Sequence, residues 1–242
     1  MKRLMPIFIV ILLSGCGILT AYAPNMLSMI VVAVMGVVVL LGIIYGLIPV
    51  LTFTQGLLTG QKSIQRASEA EEKSVWITAL QMDRFFRQKK MDQLFREYRD
   101  KVKQQRQNGQ IVSDLEDILN EDVLALYSWQ GVVAQIPGTL TGLGILGTFI
   151  GLLRGLRNIN FVTVEAALSS VQSILTGIDT AFYTSIAGVI LSILFNISNN
   201  ILRNTMDREM GIFLEVFHRV VLPTTQEQER YRSRRETRQI MD

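Results

Sequence analysis

Four apolar stretches of bilayer length decide most of what this chain can become. They run near 4–23, 26–51, 132–153 and 174–198, and about 20 apolar residues are needed for a helix to cross about 30 Å of hydrocarbon. Lipid offers the backbone no hydrogen-bond partners, so such stretches fold as helices. The expected fold is an all-α integral membrane protein with four transmembrane helices. The first two stretches are continuously apolar; the last two are diluted with Gly, Thr and Ser.

Lysine and arginine set the orientation. Of the 24 Lys and Arg, all but Arg154 and Arg157 lie before the first stretch, between the second and third, or after the fourth. A multi-pass protein of a bacterial inner membrane with both termini cytoplasmic accounts for this. The net charge of +3 is then a mark of topology and does not call for nucleic acid. The basic end at 231–239 reads as a solvated helix end. About thirty helical residues would place it roughly 45–50 Å from the membrane, beyond a Debye length of about 8 Å.

The division that follows is 1–53 as a transmembrane hairpin, 54–131 as a cytoplasmic helical region, 132–198 as a second pair of spans, and 199–242 as a cytoplasmic extension and tail. Within 54–131, Trp76, Leu80, Met82, Phe85, Phe86, Leu94, Phe95 and Tyr98 recur at mostly three- and four-residue steps, as on an amphipathic helix. Asn108-Gly109 ends that pattern, and Ser113 precedes Glu116 at capping-box spacing. Leu202, Met206, Met210, Phe213, Phe217 and Val220 carry a helical stripe onward from the fourth span. That span is expected to continue as one long cytoplasmic helix.

Cys16 and His218 are the single cysteine and histidine, so no internal disulfide and no Cys/His metal cluster is expected. The motifs GxxxxGK[ST], HExxH and GxSxG are absent, and neither an enzyme nor a cofactor is expected. Leu13-Ser14-Gly15-Cys16 resembles a lipoprotein cleavage box. The apolar run passes beyond it to Ala23, which favours an uncleaved first span.

The third stretch poses the functional question. PGTLTGLGILGTFIGLL (137–153) holds five glycines and three threonines, although glycine costs roughly 1 kcal/mol in a helix. On a helix, Pro137, Thr141, Gly144, Thr148, Gly151 and Gly155 form one narrow face. Gly177, Ala181, Ser185, Gly188, Ser192 and Asn196 form another. Small faces let helices pack closely in lipid; they also suit the wall around a second protein's helix or a water-lined ion route, with hydroxyls from Thr148 and Ser185. Asp179 is the only acid within a stretch. A carboxylate at mid-bilayer costs about 2.5–3.5 kcal/mol, so Asp179 reads either as an ion-route acid or as an interfacial anchor.

GLGILGTFIGL (142–152) and GIDTAFYTSIAGVILSILFN (177–196) resemble the MotA/TolQ/ExbB proton-channel family. Within it, the GILGTF and TAFYTS wording is most similar to the A subunits of Zorya anti-phage defence motors, which carry a very long helical tail. The resemblance implies an ion-conducting stator subunit of a rotary motor. Five copies would surround a dimeric single-span partner of the MotB, ExbD, TolR or ZorB type that carries an Asp. The transported ion would be H+, and hydroxyl-lined routes suit Na+ as well.

By position, Thr148 and Ser185 match the hydroxyls beside the ion path. Thr141, Gly144, Gly151, Ala181 and Gly188 share the pore-facing surfaces, with Thr180 and Thr184 as neighbouring polar groups. ExbB and TolQ have a glutamate where this chain has Thr180. The acid Asp179 stands one residue earlier, about 100° around the helix, and is the candidate ion-path acid. Three other functions stay open: an energy transducer for envelope transport or motility, a passive helical scaffold, and a self-sufficient channel using Asp179.

Overall fold

The computed structural model describes residues 5–69, 84–108, 112–157, 159 and 162–221. Every regular element among them is helical. Helix α1 (Met5–Ala21) turns into α2 (Met26–Gly42), which passes through a π-helical turn (Ile43–Leu47) into α3 (Ile48–Glu69). There follow α4 (Lys89–Gln107), a 3-10 turn (Leu115–Asp117), α5 (Glu121–Tyr127), α6 (Gln130–Val133), α7 (Ile136–Leu156) and α8 (Val164–Val220).

Among the described residues, three helical runs are long and apolar enough to cross a membrane: Met26–Arg66, Gln130–Leu156 and Val164–Arg219. Helix α1 is apolar but has 17 residues, about 25 Å of helix against about 30 Å of hydrocarbon. The fourth apolar stretch, read from residue 174, begins its helix ten residues earlier at Val164 and continues unbroken to Val220.

The chain forms two compact units. The first joins Met1–Pro49 to Ser128–Arg203. Its core includes Val32, Met35, Val39, Ile43 and Leu47 on one stripe of the second apolar stretch, together with Leu140, Ala187, Leu191 and Phe195. Asn25 caps α2, its Oδ1 accepting from the Ser28 amide at 2.9 Å, as a short polar side chain does at a helix start. Two side-chain bonds tie the α1–α2 hairpin to α8. Asn25 Nδ2 donates to Thr180 Oγ1 at 2.6 Å, and Tyr183 Oη donates to the Leu19 carbonyl.

The second unit joins Val50–Tyr127 to Asn204–Asp242, and aromatic side chains fill its core. Phe85 stacks on Phe95 with ring centroids 4.5 Å apart, and Phe86 lies 5.2 Å from Phe213. Leu94, Tyr98, Met206, Met210 and Phe217 are buried as their spacing predicts, as is Leu202 at the end of the first unit. Phe85 and Phe86 are not on the helix, however. They sit in a bend ahead of α4, where Asp92 Oδ1 accepts from the Phe86 amide at 2.8 Å.

The expected capping box does not form. Ser113 is taken by Gln105, through Ser113 N to Gln105 Oε1 at 2.8 Å and Gln105 Nε2 to Ser113 Oγ at 2.6 Å. Asp114 caps the 3-10 turn instead. Trp76, Leu80, Met82 and the tail at 224–242 lie outside the described residues.

Tyr98 is buried and donates to the Ser113 carbonyl at 3.1 Å. Burial, then the nearby Asp114 and Asp117, push its pKa far above the ordinary tyrosine value. The folded unit therefore holds this proton more tightly than the unfolded chain does. The resulting stability is complete below about pH 10 and is lost as pH rises beyond it. Alkaline unfolding followed by helix circular dichroism is expected to set in at lower pH for the natural chain than for Tyr98→Phe, once each curve is referred to its own stability at pH 8. In the same core, Phe95→Ala should cost about 3–5 kcal/mol, measured by denaturant unfolding of the full chain in detergent.

Candidate functional site

The two glycine-diluted helices meet each other within the first unit. Backbone comes almost against backbone. A Cβ on Gly151 would stand 2.8 Å from the Gly177 carbonyl oxygen and 2.9 Å from the Ala181 nitrogen. A Cβ on Gly188 would stand 2.7 Å from the Leu140 carbonyl oxygen and 3.0 Å from Gly144 Cα. At Gly147 the Thr184 side chain fills the equivalent space, 2.7 Å from such a Cβ to its own Cβ. Real side chains do not approach this closely, so these positions accept only hydrogen. Of the residues read as pore-facing, Gly144, Gly151, Ala181 and Gly188 are buried in this contact.

The hydroxyl residues fall on different sides of the contact. Thr148 is half-buried, and its hydroxyl is shared between the Gly144 carbonyl at 3.1 Å and the Ala181 carbonyl across the contact at 3.2 Å. Thr141 is half-buried and donates to the Pro137 carbonyl at 3.1 Å. At 100° per residue, Thr141 and Thr148 on α7 turn to the same edge of the antiparallel pair as Ser185 and Ser192 on α8. All four are half-buried. The Ser185 hydroxyl has no partner among the described residues, which leaves it open to an incoming donor or acceptor.

Thr180 and Thr184 are turned the other way. Thr184 is fully buried and donates to the Thr180 carbonyl at 2.9 Å. Thr180 is buried, donates to the Thr176 carbonyl at 2.9 Å and accepts from Asn25. Both hydroxyl protons are thus engaged inside the unit. Asp179 is exposed, lies well round α8 from Ser185, and has no partner among the described residues. The structure brings Thr148 and Ser185 to one edge and leaves Asp179 off it.

Two participants were not singled out from the sequence as part of the site. Gly147 lies 60° from Gly144 and belongs to the contact, which a wider face would have included. Asn25 lies in the short connection between the first two apolar stretches. Its place just before an apolar helix is a capping signal, but nothing local points to Thr180, 155 positions away.

These features define a helical membrane protein built on a pair of spans closed by glycine. The model of the anti-phage protein ZorA family, Zorya type I system, matches residues 12–205, and the chain belongs to that family. Over 60 residues, 25% of the chain, it is 47% identical to the Zorya protein ZorA of Escherichia coli strain Crooks and covers 10% of that protein. The corresponding figures for the Zorya protein ZorA of Escherichia coli O139:H28 are 43% and 8%. The matched stretch therefore spans a tenth or less of the length of these curated relatives.

The contact makes a sharp prediction. Gly151→Ala and Gly177→Ala should each destabilise the unit by about 1–3 kcal/mol through overpacking. Gly142→Ala, where a Cβ meets nothing within 4 Å, should be neutral or should stabilise by up to about 1 kcal/mol. Thermal unfolding of the three variants in one detergent checks the order.

Proposed function

We propose that the chain is the ion-conducting membrane subunit of a Zorya-type anti-phage motor. It crosses the inner membrane four times with both termini cytoplasmic. Five copies surround a dimeric single-span partner that carries an Asp. Ions, protons in the first instance and Na+ as the alternative, pass along the edge that bears Thr148 and Ser185. The partner's carboxylate takes up and releases each ion as one ring turns against the other. A unit charge crossing 100 mV releases about 2.3 kcal/mol, enough to bias each step. The chain itself performs no catalysis and needs no cofactor.

Family membership supports the defence role, and the hydroxyl edge carries the ion route. Its hydroxyls can accept and pass on hydrogen bonds without a fixed charge that would trap the ion. Asp179, off that edge and facing away from α7, gives little support to a self-sufficient channel.

A second reading has an observation of its own. The glycines of α7 and α8 pack against each other inside one chain, which is all that a passive scaffold would require of them. Function separates the two. Thr148→Ala combined with Ser185→Ala should reduce protection of phage-challenged cells by about tenfold or more, as expected when hydrogen-bonding groups are removed from a working route. The mass of the complex purified with its partner should be unchanged at five copies to two. A scaffold predicts full protection from the double variant. A homo-oligomer that never recruits the co-expressed partner would remove the stator reading.

A further inference from the structure

A cleft of about 400 Å³ opens in the first unit beside the α7–α8 contact. Arg154, Asn25, Ser169, Gln172, Ser173, Thr176 and Thr180 supply its polar lining, and no acidic residue lines it. The ion route described above leaves this cleft unused. An arginine at its wall disfavours a cation there.

The hydrogen-bond accounts of these side chains differ. Ser169 and Thr176 give their protons to their own helix, to the Ala166 and Gln172 carbonyls, each at 2.9 Å. Asn25 is engaged with Ser28 and Thr180. By contrast, the Arg154 guanidinium, the Gln172 amide and the Ser173 hydroxyl have no partner among the described residues. Three donor groups, from exposed Arg154 and Gln172 and half-buried Ser173, line a space without a negative charge. The chemistry that answers them is an anion with several acceptor oxygens, and arginine's planar fork matches phosphate in particular.

The surroundings are apolar. Leu153, Leu168, Val171 and Leu175 are exposed on the two helices that flank the cleft. Arg154 ends a span with no other charge between residues 130 and 153, at the depth where long basic side chains reach the headgroup region.

We propose that this cleft is a phosphate-binding site held by Arg154, Gln172 and Ser173, occupied by a phospholipid headgroup or by free phosphate. The inference rests on the placement of α7 and α8 as spans and not on ion conduction. It would survive the failure of the motor reading.

Native mass spectrometry of the full chain, purified in mild detergent and supplied with phosphatidylglycerol, provides the test. The natural chain should retain the lipid, and Arg154→Gln should retain about tenfold less, the scale set by a charged hydrogen bond. Arg157→Gln, outside the cleft lining, should retain as much as the natural chain. Lipid displaced by millimolar inorganic phosphate identifies the phosphate group alone as the ligand. Lipid that resists displacement identifies the phospholipid. Should Arg154→Gln fail to fold, Gln172→Leu with Ser173→Ala must show the same loss. Equal retention of lipid and phosphate by the natural chain and by intact variants would overturn the site.

Discussion

The contact between the backbones of α7 and α8 is the constraint on which the first unit depends. In lipid, helices gain nothing from hiding apolar side chains from each other, because the solvent is equally apolar. What remains is close packing, and Gly151 against Gly177 and Gly144 against Gly188 bring main chain to main chain. The propensity cost of so many glycines, roughly 1 kcal/mol each, is offset by contacts that larger residues would prevent. This contact answers why a span should be so rich in glycine, and the answer lies first within one chain.

The same contact sorts the polar residues. Threonine and serine on the central line, such as Thr184, are buried and bonded to their own helix. Those a further 40–80° around, Thr148 and Ser185, stand at an edge where a hydroxyl can meet something outside the pair. Thr180 lies on the opposite side, where it accepts from Asn25, so the α1–α2 hairpin is tied to that flank. A closely packed pair with one flank tied to the hairpin and one hydroxyl edge is a suitable wall for an ion to pass. In the second unit a different force operates. Phe85, Phe86, Phe95 and Phe213 form an aromatic core, and Tyr98 keeps its proton because burial and two nearby carboxylates oppose its charge.

Much of this was legible in the sequence where one physical effect dominates. Hydropathy located three helices long and apolar enough to cross a membrane, and the three- and four-residue stripe from Leu202 to Phe217 marked the face of α8 that became buried. The small residues on two helices were visible as faces. Their assignment to opposite sides was not, because it depends on Gly147 meeting Thr184 across the contact, which neither helix's own spacing shows. Phe85 and Phe86 fit a helical period yet fold into a bend, since Asp92 fixes the Phe86 amide from six residues away. Ser113 and Glu116 had capping spacing, but Gln105 competes for Ser113 from an earlier helix. Such outcomes depend on partners distant in sequence, which no local pattern can show.

The central claim, that the edge of Thr148 and Ser185 faces an aqueous route while the adjacent surface of α8 faces lipid, can be tested by cysteine accessibility. Ser185→Cys and Ile186→Cys would be made in a Cys16→Ser background and treated in membranes with a small, positively charged thiol reagent. Reaction at position 185 together with protection at the exposed, apolar position 186 is the expected result. Protection at 185, or equal reaction at both, would contradict a water-lined edge between α7 and α8.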